Sequence, residues 1–283
     1  EKRLYASRQL PRIAKALGPE RTREELIPFL EDGSDDEEEI LVCVAEKVGE
    51  LADFLGSQGG VELLLRVLEN MAKIEEAAVR TATVKATEAV VVNFDEALAQ
   101  EHLFGMVTRL GEKEWLPCRL TASYLLPLAM DKLTAQQRAE YMNLFLGLCR
   151  DDAVTVRRSA AGNFGAFTSS AAKAASTSEE LLQLRKELRG EFSSLSSDDM
   201  DSVRIHMCQA AVPMAEAFDA EWVIEQVVPI ALQLSRETKW RVRWSAAVYL
   251  PDLCKAVGVD AADRLLAPVA TSLLNDPEPE VRA

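Results

Sequence analysis

The sequence predicts an all-α fold, an α-α superhelix or solenoid in which antiparallel helix pairs stack in a right-handed array. Three observations predict it. An apolar residue followed by arginine recurs at Val79-Arg80, Cys118-Arg119, Val156-Arg157, Val203-Arg204, Val242-Arg243 and Val281-Arg282, in steps of 38 or 39 residues with one step of 47. Acidic residues five or six places upstream keep the same beat at Asp35, Asp36, Glu75, Glu114, Asp151, Asp152, Asp198, Asp199, Glu237 and Asp276. Composition is apolar at 48% but aromatic at only 6%, which favours many small helix contacts over one large core. A fixed period in this range marks a stacked array, because no single unit buries its own hydrophobic face. Function is therefore expected in a surface rather than a pocket.

Residues 1–18 read as the second helix of a first repeat, 19–258 as six complete repeats, and 259–283 as the start of a further one. Within a unit, Ile40, Leu41, Val44, Ala45, Val48 and Leu51 follow the three-or-four spacing of a helix with one buried face, which makes this stretch a second helix. The stretch before each acidic turn, such as Glu62 to Met71 or Glu140 to Cys149, is the first helix. Ile40-Leu41 keeps the register with leucine in place of arginine. Small residues after the arginine column, at Ala122/Ser123, Ala160/Ala161 and Ala246/Ala247, allow neighbouring helices to approach to about 8–10 Å. Pro28, Pro229 and Pro268 fall inside first helices, where a missing N–H and a ring clash predict bends. Pro127, Pro213 and Pro251 predict kinks or ends in second helices. The long step from Arg157 to Arg204 adds about eight residues, and the small, hydroxylated run 169–178 predicts an inserted inter-repeat loop, with a phosphorylatable segment as the sharper reading.

The formal net charge of −14 opposes phosphate backbones and anionic lipid surfaces, so nucleic acid and membrane are not expected partners. The densest acidic run, Glu31 to Glu39, reads either as a solvated turn that suits the positive end of the following helix or as a docking patch for a basic surface. Five cysteines without C-x-x-C spacing sit in apolar helical segments and read as reduced core residues. No run of 18 apolar residues and no signal-peptide pattern occurs, which points to a cytoplasmic protein, with the nucleus as a further compartment.

An acid at a helix start is expected to accept bonds from free N–H groups, and a guanidinium one turn later can reach the carboxylate of its own or a neighbouring repeat. The acid and arginine columns thus predict a ladder fastening successive repeats. Deviations within the turns are better candidates for partner contact. Trp115 and Trp240 fall at turn positions, where they serve either as partner anchors or as packing against a neighbouring turn. Arg158, Lys239 and Arg241 extend the same edge.

The string at residues 16–30, Ala-Leu-Gly-Pro-Glu-Arg-Thr-Arg-Glu-Glu-Leu-Ile-Pro-Phe-Leu, resembles the scaffold (A) subunits of protein phosphatase 2A, a HEAT-repeat family; Asp35 to Leu51, Asp151 to Arg158 and Lys239 to Trp244 agree in the same order. The resemblance covers essentially the whole chain. It implies a HEAT solenoid whose turn ridge holds, in the N-terminal half of the family, a regulatory (B-type) subunit and, in the C-terminal half, the catalytic phosphatase subunit. This stretch resembles the N-terminal half, which puts the catalytic-subunit edge in a C-terminal part not in this stretch. The resemblance assigns partner binding to the turns carrying Glu39, Glu75, Glu76, Trp115, Asp152, Arg158, Lys239, Trp240 and Arg241. Val154 stands where the family has a turn proline, Lys239 replaces a serine, and the 169–178 run is not part of the family pattern.

An enzyme is not predicted. The two histidines, His102 and His206, show no H-E-x-x-H or His-Glu pairing, so neither a metal site nor a hydroxylase is supported. A nucleophile elbow and a phosphate-cradling glycine loop are both missing, and no cofactor is implied. A second reading is a HEAT/ARM-type transport or coat adaptor, which would grip basic cargo on its inner helical face rather than on its turns.

Overall fold

The computed structural model describes residues 1–33, 35–56 and 60–283, and every regular element among them is helical. Their internal contacts group them into two units, Glu1–Leu144 and Phe145–Ala283.

The first unit opens with α1 (Lys2–Arg8) and α2 (Leu10–Arg21). Gly18 interrupts α2 with φ of 79°, a left-handed conformation that glycine adopts without a Cβ penalty. A π-turn at Thr22–Leu26 leads into α3 (Ile27–Glu31), and the acidic turn then leads to α4 (Glu38–Gly56). The next pairs are α5 (Leu64–Met71) with α6 (Ala77–Val91), and α7 (Glu96–Leu98) plus α8 (Phe104–Gly111) with α9 (Leu116–Leu125). Second helices α4, α6 and α9 pack in one layer, and first helices α3, α5 and α8 in another. Between the layers Leu51, Leu55, Leu64, Leu68, Met71 and Leu103 are fully buried. The leucine that replaces the column arginine, Leu41, is buried too. There Arg3 from α1 takes over the turn acid, with Nη1 2.9 Å from Asp36 Oδ1.

Helix α10 (Ala135–Cys149) runs into the second unit, which continues with α11 (Val154–Ala174), α12 (Ser178–Leu195), α13 (Asp201–Ala217), α14 (Ala220–Gln226), α15 (Val228–Leu234), α16 (Trp240–Val257), α17 (Val259–Ala261), α18 (Ala267–Leu274) and α19 (Pro279–Arg282). Here α11, α13, α16 and α19 stack in sequence. The core holds an aromatic cluster: Phe145 stacks on Phe167 with centroids 4.0 Å apart, and Phe164 lies between Phe145 and Phe192 at 5.7 and 6.0 Å. Gly258, with φ of 85°, separates α16 from α17 as Gly18 does at the other end.

The run 169–178 is not an inserted loop. Residues 169–174 continue α11, and only Ala175, Ser176 and Thr177 link it to α12. Alanine supplies the propensity, and Phe167, Ala171 and Ala174 keep one buried face at helical spacing, so the added residues lengthen helices that already pack. Thr177 caps α12 by accepting from the Glu180 N–H at 3.1 Å, while Glu180 Oε2 accepts from the Ser176 N–H at 2.9 Å.

The prolines of the first helices do mark bends. Pro28 and Pro268 follow π-turns at Thr22–Leu26 and Ala262–Leu266, and Pro229 follows a break at Val227 (φ −101°). In each case the proline starts a new helical segment, where its missing N–H is no loss. A π-turn also occurs at Ala99–Leu103 without proline. Pro127 follows the end of α9, whereas Pro213 and Pro251 lie inside continuous helices. Gly165 of α11 accommodates Pro213, since a Cβ there would stand 2.7 Å from the ring.

Cys43, Cys118, Cys149 and Cys208 are buried free thiols, and Cys254 is partly buried. Burial pushes the thiol of Cys208 up to about 12, which disfavours the reactive thiolate. No helix among the described residues is long and apolar enough to cross a membrane.

Candidate partner-binding edge

Except before α4, where Leu41 takes the column position, each turn between a first and a second helix is closed by its column arginine. Arg80 Nη1 donates to the carbonyls of Ile74 and Glu75 at 2.9 and 2.5 Å, and Arg119 reaches those of Lys113 and Glu114. Arg157, Arg243 and Arg282 repeat the pattern on the residues five and six places back, and Arg204 donates to the Asp198 carbonyl at 2.5 Å. A guanidinium thus satisfies backbone acceptors that the turn leaves outside the helices.

The rest of the fork reaches forward to the next repeat. Arg157 holds Asp198 through Nε–Oδ2 at 2.7 Å and Nη2–Oδ1 at 3.3 Å; Arg204 meets Glu237 at 3.2 Å; Arg243 holds Asp276 at 2.6 and 2.8 Å. The expected ladder is therefore present along the second unit. The acids differ from expectation in one respect. They do not cap the helices, whose N-caps Ala153, Met200 and Glu278 offer no side-chain bond. Instead Asp151, Asp198 and Asp276 accept from the N–H two residues on, at 2.9, 2.9 and 3.0 Å, and so fold the turn itself. Hydrogen bonds from the Arg243 guanidinium hold the Asp276 carboxyl below its usual range, with burial opposing. At Asp198 burial pushes upward, but the bonds from Arg157 and the Met200 N–H prevail.

With the column arginines and the acids Asp151, Asp198, Glu237 and Asp276 engaged, several other turn side chains stand exposed. Glu39 stands in the first turn of α4, with Arg8 at 4.0 Å. Glu75 and Glu76 are exposed, Glu76 being the N-cap residue of α6. Asp152 is exposed before α11, and Arg158 is exposed on it. Lys239 is the exposed N-cap residue of α16.

The two tryptophans part company. Trp115 is 49% exposed while its Nε1–H donates to the Lys73 carbonyl of the preceding turn at 2.7 Å, so it both packs and presents a face. Trp240 is only partly exposed, packed against Val269, Leu273 and Val281 of the following helices, with the Arg241 guanidinium 4.6 Å over its ring. Its indole is thus largely packing, and Arg241 and Lys239 are what the turn offers outward. Sequence reasoning passed over Trp244, which is 45% exposed on α16; its place two residues beyond Val242, about 200° around the helix from the buried column, carried the signal.

Among the described residues no group of three or more histidine, cysteine or carboxylate side chains is placed to hold a metal ion. The geometry is that of a bonded ridge with protruding side chains.

No family model matches the chain. Among solved structures, Kap121p superposes with a TM-score of 0.70 at 14% identity over 92% of this chain and 28% of that one, and Cex1p with 0.56 at 14% over 84% and 44%. These likenesses carry the stacked helix-pair fold alone. Among curated sequences, the regulatory (A) subunit of protein phosphatase PP2A from Schizosaccharomyces pombe is 35% identical over 261 residues, 90% of this chain and 42% of that one. The protein phosphatase 2A scaffold subunit of Dictyostelium discoideum is 35% identical over 63% of this chain and 31% of its own length. The beta isoform of the human 65 kDa regulatory (A) subunit is 35% identical over 58% and 28%. The chain spans less than half the length of these proteins, and it is a relative of the scaffold (A) subunits of protein phosphatase 2A.

Proposed function

We propose that this chain is a non-catalytic scaffold of a protein phosphatase 2A-type serine/threonine phosphatase, holding a regulatory (B-type) subunit on its turn edge while the catalytic subunit is held elsewhere in the protein. The observation that carries the reading is the 35% identity to a phosphatase regulatory (A) subunit over 90% of the chain. The turn geometry supports it, because arginine-closed turns present Glu75, Glu76, Trp115, Asp152, Arg158, Lys239 and Arg241 on a firm backbone, with Glu39 exposed at the first turn of α4. Such a scaffold does no chemistry; it raises the effective concentration of substrate near an active site by tethering. Its place of work in this reading is the cytoplasm and the nucleus.

Trp240→Ala is a poor test, since it removes packing against Val269, Leu273 and Val281. Charge reversal at exposed positions is better. The triple variant Arg158→Glu, Lys239→Glu, Arg241→Glu is expected to weaken capture of a purified regulatory subunit by about tenfold or more, with the melting temperature within a few degrees of wild type. Capture unchanged by the triple variant would remove these turns from the interface. A wild-type chain that binds no regulatory subunit would overturn the scaffold reading.

A further inference from the structure

Between Arg157 and Arg204 the chain runs about eight residues past its own period, and the linker from α11 to α12 in that stretch carries exposed hydroxyls at Ser176 and Thr177, with Ser178 exposed just beyond and Glu179 and Glu180 next. A serine or threonine with a carboxylate three places on is the pattern that acid-directed protein kinases read, because basic side chains beside their catalytic cleft take that carboxylate. The pattern occurs at five positions of the sequence: Thr22, Ser34, Ser176, Thr177 and Ser196. The fold separates them. Thr22 is fully buried with its hydroxyl donating to the Ala14 carbonyl at 3.1 Å, and Ser196 is 2% exposed. Ser34 lies outside the described residues. Thr177 Oγ1 is engaged as the cap of α12. That leaves Ser176.

Its backbone suits the chemistry. Ser176 stands between Ala175 (φ −59°, ψ 120°) and Thr177 (φ −133°, ψ 155°), in extended chain that a cleft can grip as a strand and where the hydroxyl can be brought in line with a transferable phosphoryl group. Hydroxyls within helices, such as those of Thr81, Thr83, Thr121 and Thr271, are instead turned back on the carbonyl four places earlier. Ser176 Oγ donates to the Ala174 carbonyl at 3.4 Å, a long bond and so a weak one. Lys173 is the one base within five residues on either side, and it lies on the amino-terminal side, away from the acids. Charge added here would fall on an existing contact, since Glu180 Oε2 accepts from the Ser176 N–H at 2.9 Å.

We propose that Ser176 is a phosphorylation site for an acid-directed serine/threonine kinase, and that its phosphate unseats the Glu180 cap and opens the first turn of α12. The kinase brings ATP: the bond from Ser176 Oγ to the γ-phosphorus forms as the bond from that phosphorus to the bridging oxygen breaks, ADP leaves, and the hydroxyl proton passes to the kinase's catalytic carboxylate. The product carries about −1.5 to −2 charges at pH 7. Glu179 and Glu180 already answer the positive end of α12, so the new anion meets like charge and drives the Glu180 carboxylate off the Ser176 N–H. Opening stops where burial begins, at Leu184 and Leu188. The site is independent of the scaffold reading.

The whole chain is incubated with ATP and a recombinant acid-directed kinase, or with a kinase that reads basic residues, and phosphate is located by mass spectrometry. The first kinase is expected to place phosphate on Ser176, unchanged in Ser34→Ala, absent from that peptide in Ser176→Ala, and about tenfold or more slower in Glu179→Gln; the second should leave Ser176 unmodified. Phosphate only on Ser34, Thr177 or elsewhere, or equal rates in Glu179→Gln, would overturn the site. So would a chain recovered from phosphatase-inhibited native cells with Ser176 unmodified. Hydrogen exchange of the phosphorylated chain is expected to quicken about fivefold over residues 178–183, the loss of one cap, and to stay as it was over residues 184–195. Exchange unchanged at 178–183 would overturn the opening of the helix.

Discussion

At the scale of single residues, the column arginines join two tasks that the sequence presented as one. Each closes its own turn through backbone carbonyls, and in the second unit Arg157, Arg204 and Arg243 also hold the acid of the next repeat. Asp276 is 6% exposed and bonded by both arms of the Arg243 fork. Its folded-state pKa lies below the ordinary value of 3.8, so the stability it contributes is present above that value and is lost as pH falls through the lower, folded one. Asp276→Asn is expected to cost about 2 kcal/mol at pH 7, read by chemical denaturation, and to flatten the acid limb of the stability curve below about pH 4. An unchanged acid limb would show that this carboxylate does not set it. The period has one exception that it could not foresee. Twelve residues before the other apolar-arginine pairs stand Val67, Met106, Leu144, Ile230 and Val269, but before Val203-Arg204 the position is Glu191, 1% exposed and bonded by Arg150 at 2.7 Å. A pattern of apolar spacing cannot see a buried ion pair whose partner lies on another element.

At the scale of elements, the lengthened α11 decides between two physical readings of one composition. A Ser/Ala-rich run fits a flexible linker when read for polarity and a helix when read for propensity, and the buried stripe Phe167, Ala171, Ala174 selects the helix. Ala172→Pro is therefore expected to cost about 3 kcal/mol by removing an i→i−4 bond and clashing one turn back, measured as a loss of melting temperature and of helical circular dichroism. A neutral effect would return the segment to a loop. The paired-helix unit, its turns and the bends at Pro28, Pro229 and Pro268 were legible from the sequence, because each follows from spacing or from a missing N–H. The packing of Trp240 was not, because a turn residue's neighbours belong to the following helices, whose approach depends on Val269, Leu273 and Val281 together. Nor was the exposed stripe of Trp244 and Val248, which alternates with a buried stripe on the same helix. The turn residues named from the resemblance are mostly exposed, as partner contacts must be, yet exposure alone does not choose among them.

At the scale of the whole molecule, helix pairs within each unit lean on their sequence neighbours, and the stability of a unit is then the sum of repeat terms and nearest-neighbour terms. Within the second unit the aromatic cluster is one such term, since Phe145, Phe164, Phe167 and Phe192 are fully buried and come from α10, α11 and α12. Phe192→Ala removes the fully buried ring at its α12 end and is expected to cost about 3–5 kcal/mol. In a single cooperative core that loss would appear at every amide, whereas in an array it fades with distance along the chain. Native-state hydrogen exchange on the variant should show protection falling steeply over residues 154–217 and little over residues 38–91. A uniform fall would mean that the chain unfolds as one unit, and the nearest-neighbour account would be abandoned.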